Sequence, residues 1–158
     1  MTAPELSVDL RIETQGWPDD VAAIAERAIA LALARADVEI SGPVEISVLL
    51  TDDAEQQAIN KQWRGFDKST NVLSFPQFEP FEPLSGLIGD LSLARETISR
   101  EAEDLGKPVI EHFTHLVVHG TLHLCGYDHE TEEEALVMEG LETEILAELG
   151  IDDPYADE

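Results

Sequence analysis

Three histidines, His119, His123 and His129, fall at offsets of four and ten residues within the run His119-Gly120-Thr121-Leu122-His123-Leu124-Cys125-Gly126-Tyr127-Asp128-His129. On an α-helix, residues four apart share a face at about 6 Å, so the imidazoles of His119 and His123 can converge on one cation at bond lengths of about 2.0–2.1 Å. A third ligand has to come from outside the helix. Gly126 is the residue type that ends a helix in the left-handed conformation and turns the chain back, which brings His129 within reach. With a fourth position left to water, the set predicted is that of a catalytic zinc: one Zn2+ ion, three histidine ligands and a solvent molecule. A lone histidine is ordinarily a core residue satisfied by hydrogen bonds; three at these offsets around a glycine point to a site.

Two more histidines lie upstream, His112 and His115. At 1.5 Å rise per residue, His115 and His123 are about 12 Å apart along the axis, too far to share an ion. His115 is therefore expected to support the site from behind or to pack, and His112 to be exposed or to cap the helix. Cys125, two residues past His123, points away from the metal and is expected to pack.

The spacing H-x-x-x-H-x-x-G-x-x-H is shared with the metzincin proteases, whose glutamate after the first histidine takes the proton from the zinc-bound water. Here that position is Gly120, so peptide hydrolysis is disfavoured although the metal platform remains.

The string from His119 to His129 resembles the signature of the YbeY family of endoribonucleases, which act in maturation of ribosomal RNA. A second segment, Asn60-Lys61-Gln62-Trp63-Arg64-Gly65-Phe66-Asp67-Lys68-Ser69-Thr70-Asn71-Val72-Leu73-Ser74-Phe75-Pro76, is similar to the other family motif, with Asn71 where the family usually carries aspartate. Gly89-Asp90-Leu91 resembles a third, shorter element. The likeness runs from about residue 45 to residue 150. It implies a zinc-dependent, single-strand-type endoribonuclease acting on the 3′ end of small-subunit ribosomal RNA, in ribosome biogenesis and quality control. It also implies His119, His123 and His129 as metal ligands, Arg64 as the catalytic residue facing them, and a fold like that of the zinc peptidases in outline. The ribosome or a basic ribosomal protein is the implied partner.

Arg64 also makes physical sense by itself. A phosphodiester under attack gathers negative charge on its non-bridging oxygens, and a planar guanidinium holds two of them by paired hydrogen bonds. Lys61 and Lys68 place three of the nine basic residues within eight positions, in a chain of net charge −25. That acidity disfavours affinity for naked RNA, which rests on neutralising phosphates. Either a local basic groove around Arg64 steers one strand, or a basic protein partner delivers the RNA to the acidic surface. DNA is not an expected partner.

At 158 residues and 43% hydrophobic, the chain is expected to form one domain, 1–158, with its own core and a frayed acidic tail from Ile151 to Glu158. One cysteine excludes an intramolecular disulfide, the N-terminus carries no export signal, and no apolar run approaches ~20 residues, so a cytoplasmic protein without membrane attachment is expected.

The elements that must position these residues read as α+β: a small mixed four-stranded sheet with about five packed helices, one of them a zincin-like metal helix. Leu6, Val8, Leu10 and Ile12, and then Val44, Ile46, Val48 and Leu50, alternate with other residues as half-buried strands do. Pro18 to Ala36 reads as an alanine-rich helix, and Thr51 or Asp52 caps a helix running to about Trp63. Asn71–Phe75 and Leu87–Leu93 suit inner strands, and a helix from about Leu93 to Leu105 follows. Pro108 opens the metal helix, and Thr131 with Glu134 forms a capping box for a last helix turning Met138, Leu141, Ile145 and Leu149 inward. The proline-rich stretch 76–86 is irregular, either a cover for the metal cleft or a connector pinned by Phe78 and Phe81.

Three functions fit. The first is hydrolysis of an RNA phosphodiester, with the proton acceptor among Asp128 and Asp90 or absent altogether; Asp128 can equally orient a ligand histidine. The second is a metallopeptidase or amidase on the same platform, and the third a non-catalytic, zinc-stabilised ribosome assembly factor.

Overall fold

The computed structural model describes residues 5–154. Its elements in chain order are β1 (Leu6–Ile12), α1 (Val21–Arg35), β2 (Ile40–Thr51), α2 (Asp53–Arg64), β3 (Val72–Pro76), β4 (Leu84–Ala94), α3 (Arg95–Leu105), α4 (Val109–Cys125) and α5 (Glu132–Glu148). The four strands form one mixed sheet in the order β1-β2-β4-β3, with β3 antiparallel to β4 at one edge and the other pairs parallel. The α+β class and the element count agree with the sequence pattern.

Period-two alternation builds the sheet's inner face. Val44, Ile46, Val48 and Leu50 of β2 are all at most 2% exposed. Against that face α1 lays Val21, Ala25, Ala28, Ile29, Ala32 and Leu33, a stripe at helical spacing whose alanines allow close approach. Helix α4 packs against α1, α3, α5 and both β3 and β4, so its histidines are carried by the most enclosed helix of the fold.

Caps fall where the side chains predict them. The Asp52 side chain accepts from the Glu55 N–H at 2.9 Å to start α2, and Thr131 Oγ accepts from the Glu134 N–H at 3.1 Å to start α5. Strand β4 begins at Leu84, earlier than its apolar run suggests, because Leu84 N–H bonds the Glu39 carbonyl and Ile40 pairs beside it. The irregular stretch is correspondingly shorter. At the start of the expected tail, Ile151 packs on the core and donates its N–H to the Leu146 carbonyl, and Asp153 accepts from Thr143 Oγ1. The rest of the expected tail, from 155 onward, lies outside the described residues, as do residues 1–4. Among the described residues no helix is long and apolar enough to cross a membrane.

Gly120 explains how α4 reaches the sheet. A Cβ there would lie 2.8 Å from Leu91 Cδ2 and 3.3 Å from Ser74 Oγ, so glycine lets the helix close on β3 and β4 without pushing those side-chain ends aside.

Candidate metal centre

Helix α4 ends at Gly126 in a left-handed conformation (φ 116°), and the Tyr127 N–H returns to the Leu122 carbonyl at 3.1 Å. A side chain at Gly126 would strike the backbone, its Cβ 2.7 Å from Phe81 N and 2.8 Å from Pro80 Cα. The reversed chain then carries Asp128 and His129 back along the helix, and the Asp128 carboxylate accepts the His129 backbone N–H at 2.8 Å.

This turn brings His119, His123 and His129 together: one ring nitrogen from each lies within 4.8 Å of the other two. The Nε2 atoms of His119 and His123 are 3.2 Å apart. A tetrahedral site with bonds of about 2.0–2.1 Å has ligand–ligand edges of about 3.3–3.4 Å. The pair is thus already at the separation that one divalent cation would impose, and the donor set of three imidazoles suits zinc, copper or nickel. Burial, with the neighbouring His119 and His129, pushes the His123 pKa down to about 4. It is therefore neutral at pH 7 and has a lone pair to donate. By contrast burial pushes the Cys125 thiol up to about 12, so it stays protonated and packs as expected.

Behind the triad stands a residue that the sequence reading missed. Glu142 of α5 is 1% exposed, and its carboxylate meets His119 Nδ1 at 3.1 Å and His115 Nε2 at 2.5 Å. Glu142 follows Met138 by four residues and precedes Ile145 by three, so it lies on the inward stripe of α5. A carboxylate on an apolar stripe was the available signal. The position expected for His112 is corrected: it is buried, 7% exposed, with Nε2 at 2.9 Å from Glu101 Oε1, because α3 covers that end of α4. Burial lowers its pKa, opposed by Glu101. Asn71 Nδ2 donates to the same Glu101 oxygen at 3.0 Å, where an aspartate would set two carboxylates face to face.

The histidines open on a cleft of about 490 Å³ bounded by β3 and the loop after it. Arg64, last residue of α2, lines it from the far side together with Thr70 and Asn71, and Asp128 lines it beside His129. Arg64 is exposed, and no carboxylate among the described residues forms an ion pair with it. Lys61 by contrast approaches Asp67 at 3.8 Å, and the Lys68 ammonium lies 5.8 Å from the Phe66 ring centre. Phe78 and Pro80 form a wall of the cleft, and the Phe81 N–H bonds the Cys125 carbonyl at 3.2 Å. Asp90 is not at the centre. It lines a separate cleft with Asp9, Trp63 and Phe75, on the side of the sheet opposite α4, so the geometry leaves it no part in proton transfer at the histidines.

A sequence profile described as Endoribonuclease YbeY matches residues 9–150. The chain belongs to the YbeY endoribonuclease family. A relative from Allorhizobium ampelinum, named Endoribonuclease YbeY, is 49% identical over 160 residues, covering 96% of both chains. One from Rhodospirillum rubrum, of the same name, is 57% identical over 147 residues, covering 87% of this chain and 74% of its own. A solution structure of a protein from Thermotoga maritima superposes with a TM-score of 0.57 at 24% identity, over 92% of this chain and 98% of that one, and shows the same fold. The matched residues 9–150 take in Arg64 and all three converging histidines.

Proposed function

We propose that the histidine cleft hydrolyses phosphodiester bonds of single-stranded RNA, with His119, His123 and His129 holding one zinc ion and Arg64 binding the scissile phosphate. As a member of the YbeY family the chain is an endoribonuclease, a hydrolase that acts in ribosomal RNA processing. The observation that carries the site assignment is the convergence of three ring nitrogens in a cleft that an exposed arginine also lines.

A zinc ion bound there would activate water and neutralise charge on the phosphoryl oxygens. The chain's own groups do the rest. Arg64 offers two parallel N–H donors to non-bridging oxygens, a fork that lysine cannot reproduce. Asp128 is the carboxylate that lines the cleft, and its bond to the His129 backbone holds the turn that presents that imidazole. Gly120 argues against a peptidase on physical grounds: its Cα faces Leu91 and Ser74, so a glutamate there would run into the sheet instead of reaching the metal.

The 3′ end of small-subunit ribosomal RNA is the proposed target. With a net charge of −25 the chain is suited to a basic ribosomal protein or the ribosome as the agent that delivers the RNA, in the cytoplasm. Purified protein and its His119→Ala variant, assayed on structured ribosomal RNA fragments with and without chelator, test the reading. Cleavage by the parent alone, lost on chelation, is expected; equal cleavage by both would refute the metal mechanism.

A further inference from the structure

Glu142 has a chemistry that its burial makes specific. A carboxylate 1% exposed is costly unless donors surround it, and this one meets two imidazoles from successive turns of α4, His115 at Nε2 and His119 at Nδ1. An ionised carboxylate accepts hydrogen bonds and cannot donate them. Facing Glu142 Oε2, His119 Nδ1 therefore carries the ring proton, and Nε2 carries the lone pair. That Nε2 is the atom lying 3.2 Å from His123 Nε2, on the side where the three histidines converge.

We propose that Glu142 is the positioning residue of the metal centre: it selects the Nδ1–H tautomer of His119, fixes the ring's orientation, and adds negative charge one residue behind the ligand. His115 is its second anchor. With one carboxylate oxygen held by His115, the other is aimed at His119, so α4 and α5 are tied together at the level of the site. This rests on the metal-binding reading of the histidines, and it assigns to α5 a role in a site otherwise built from α4 and its C-terminal turn.

Two measurements on the full chain test it. The first needs no substitution: 15N-resolved spectra of the histidine rings in chelator-treated protein at neutral pH should show His119 protonated at Nδ1. The Nε2–H form there would overturn the proposal. The second is cobalt titration, followed by the visible spectrum and by competition with a chelator, on the parent, Glu142→Gln and His115→Gln proteins. Glu142→Gln should bind cobalt about 10–100-fold more weakly with an altered spectrum, and His115→Gln, which keeps the carboxylate on His119, should lose less. Parental affinity in a folded Glu142→Gln protein would overturn the positioning role while leaving the metal site standing. A parent that binds no cobalt would instead sink the metal reading and this proposal with it. Should Glu142→Gln not fold, the His119 tautomer in the parent decides alone.

Discussion

The two halves of α4 use the same residue type for opposite ends. In the N-terminal half, His112 and His115 each face a carboxylate, Glu101 at 2.9 Å and Glu142 at 2.5 Å. In the C-terminal half, His119 and His123 turn Nε2 toward each other at 3.2 Å, and His129 closes the group. Imidazoles paired with acids hold helices together. Three gathered with their nitrogens inward repel once protonated, which adds to the burial that already holds His123 down, and the arrangement becomes favourable when a cation takes the lone pairs. His119 belongs to both halves, with Nδ1 on an acid and Nε2 on the cluster.

The sharpest way to break this comparison is to remove one histidine from each half. His123→Ala should lose divalent-cation binding and reduce RNA cleavage to background, whereas His112→Phe should retain both. If His112→Phe abolished cation binding, the division of the helix would be wrong. Arg64→Ala comes next in size. Arg64 lines the same cleft from α2 without being a ligand, so cleavage should fall about 10²–10³-fold with cation affinity unchanged. Arg64→Lys should recover part of it, since charge returns but the fork does not. Loss of cobalt binding in Arg64→Ala would show that the arginine supports the metal site rather than the phosphate.

In the N-terminal half the expected effect is on stability. His112→Phe removes one of two donors to Glu101, whose carboxylate still reaches water and Asn71, and should cost about 0.5–1.5 kcal/mol in urea unfolding, without a change in cleavage by the folded protein. A neutral result would make the His112–Glu101 pair incidental.

Which parts of this were legible in the sequence follows from range. The converging histidines span eleven positions closed by a glycine, so helix geometry and one turn type suffice to bring them together. Strands β1 and β2 were readable because alternation is local, and the sheet order was not, because β4 inserts between β2 and β3 through pairings that leave no periodic trace. Glu142 and Glu101 lie on other helices, 23 residues from His119 and 11 from His112, and nothing near either marks its partner. His112 was misplaced for the same reason: the cover that buries it comes from α3. Asp90 was misassigned because successive strand side chains face opposite ways. Leu91 meets Gly120 of α4, so Asp90 must look out of the other face, and sequence alone does not say which of the two points toward the metal.

A last test separates the halves by their response to acid. The His123 pKa is about 4 in the folded protein against an ordinary 6.5, with burial the main cause and His119 and His129 adding to it, opposed by Asp128 and the Tyr127 backbone. Between those values the unfolded chain takes up a proton that the folded chain refuses. Stability from this group is therefore complete above about pH 6.5 and is lost progressively as the pH falls toward 4. His112 shifts the same way, but Glu101 pulls it back, so its share of the slope should be smaller. Urea midpoints of chelated parent, His123→Gln and His112→Gln proteins, taken from pH 7.5 to 4.5, isolate the two terms, because the many carboxylates common to all three cancel in the differences. The His123→Gln curve should be the flatter of the two variants. If the His112→Gln curve were flatter, the acid-paired half of α4, not the cluster, would be the acid-sensitive part of the fold.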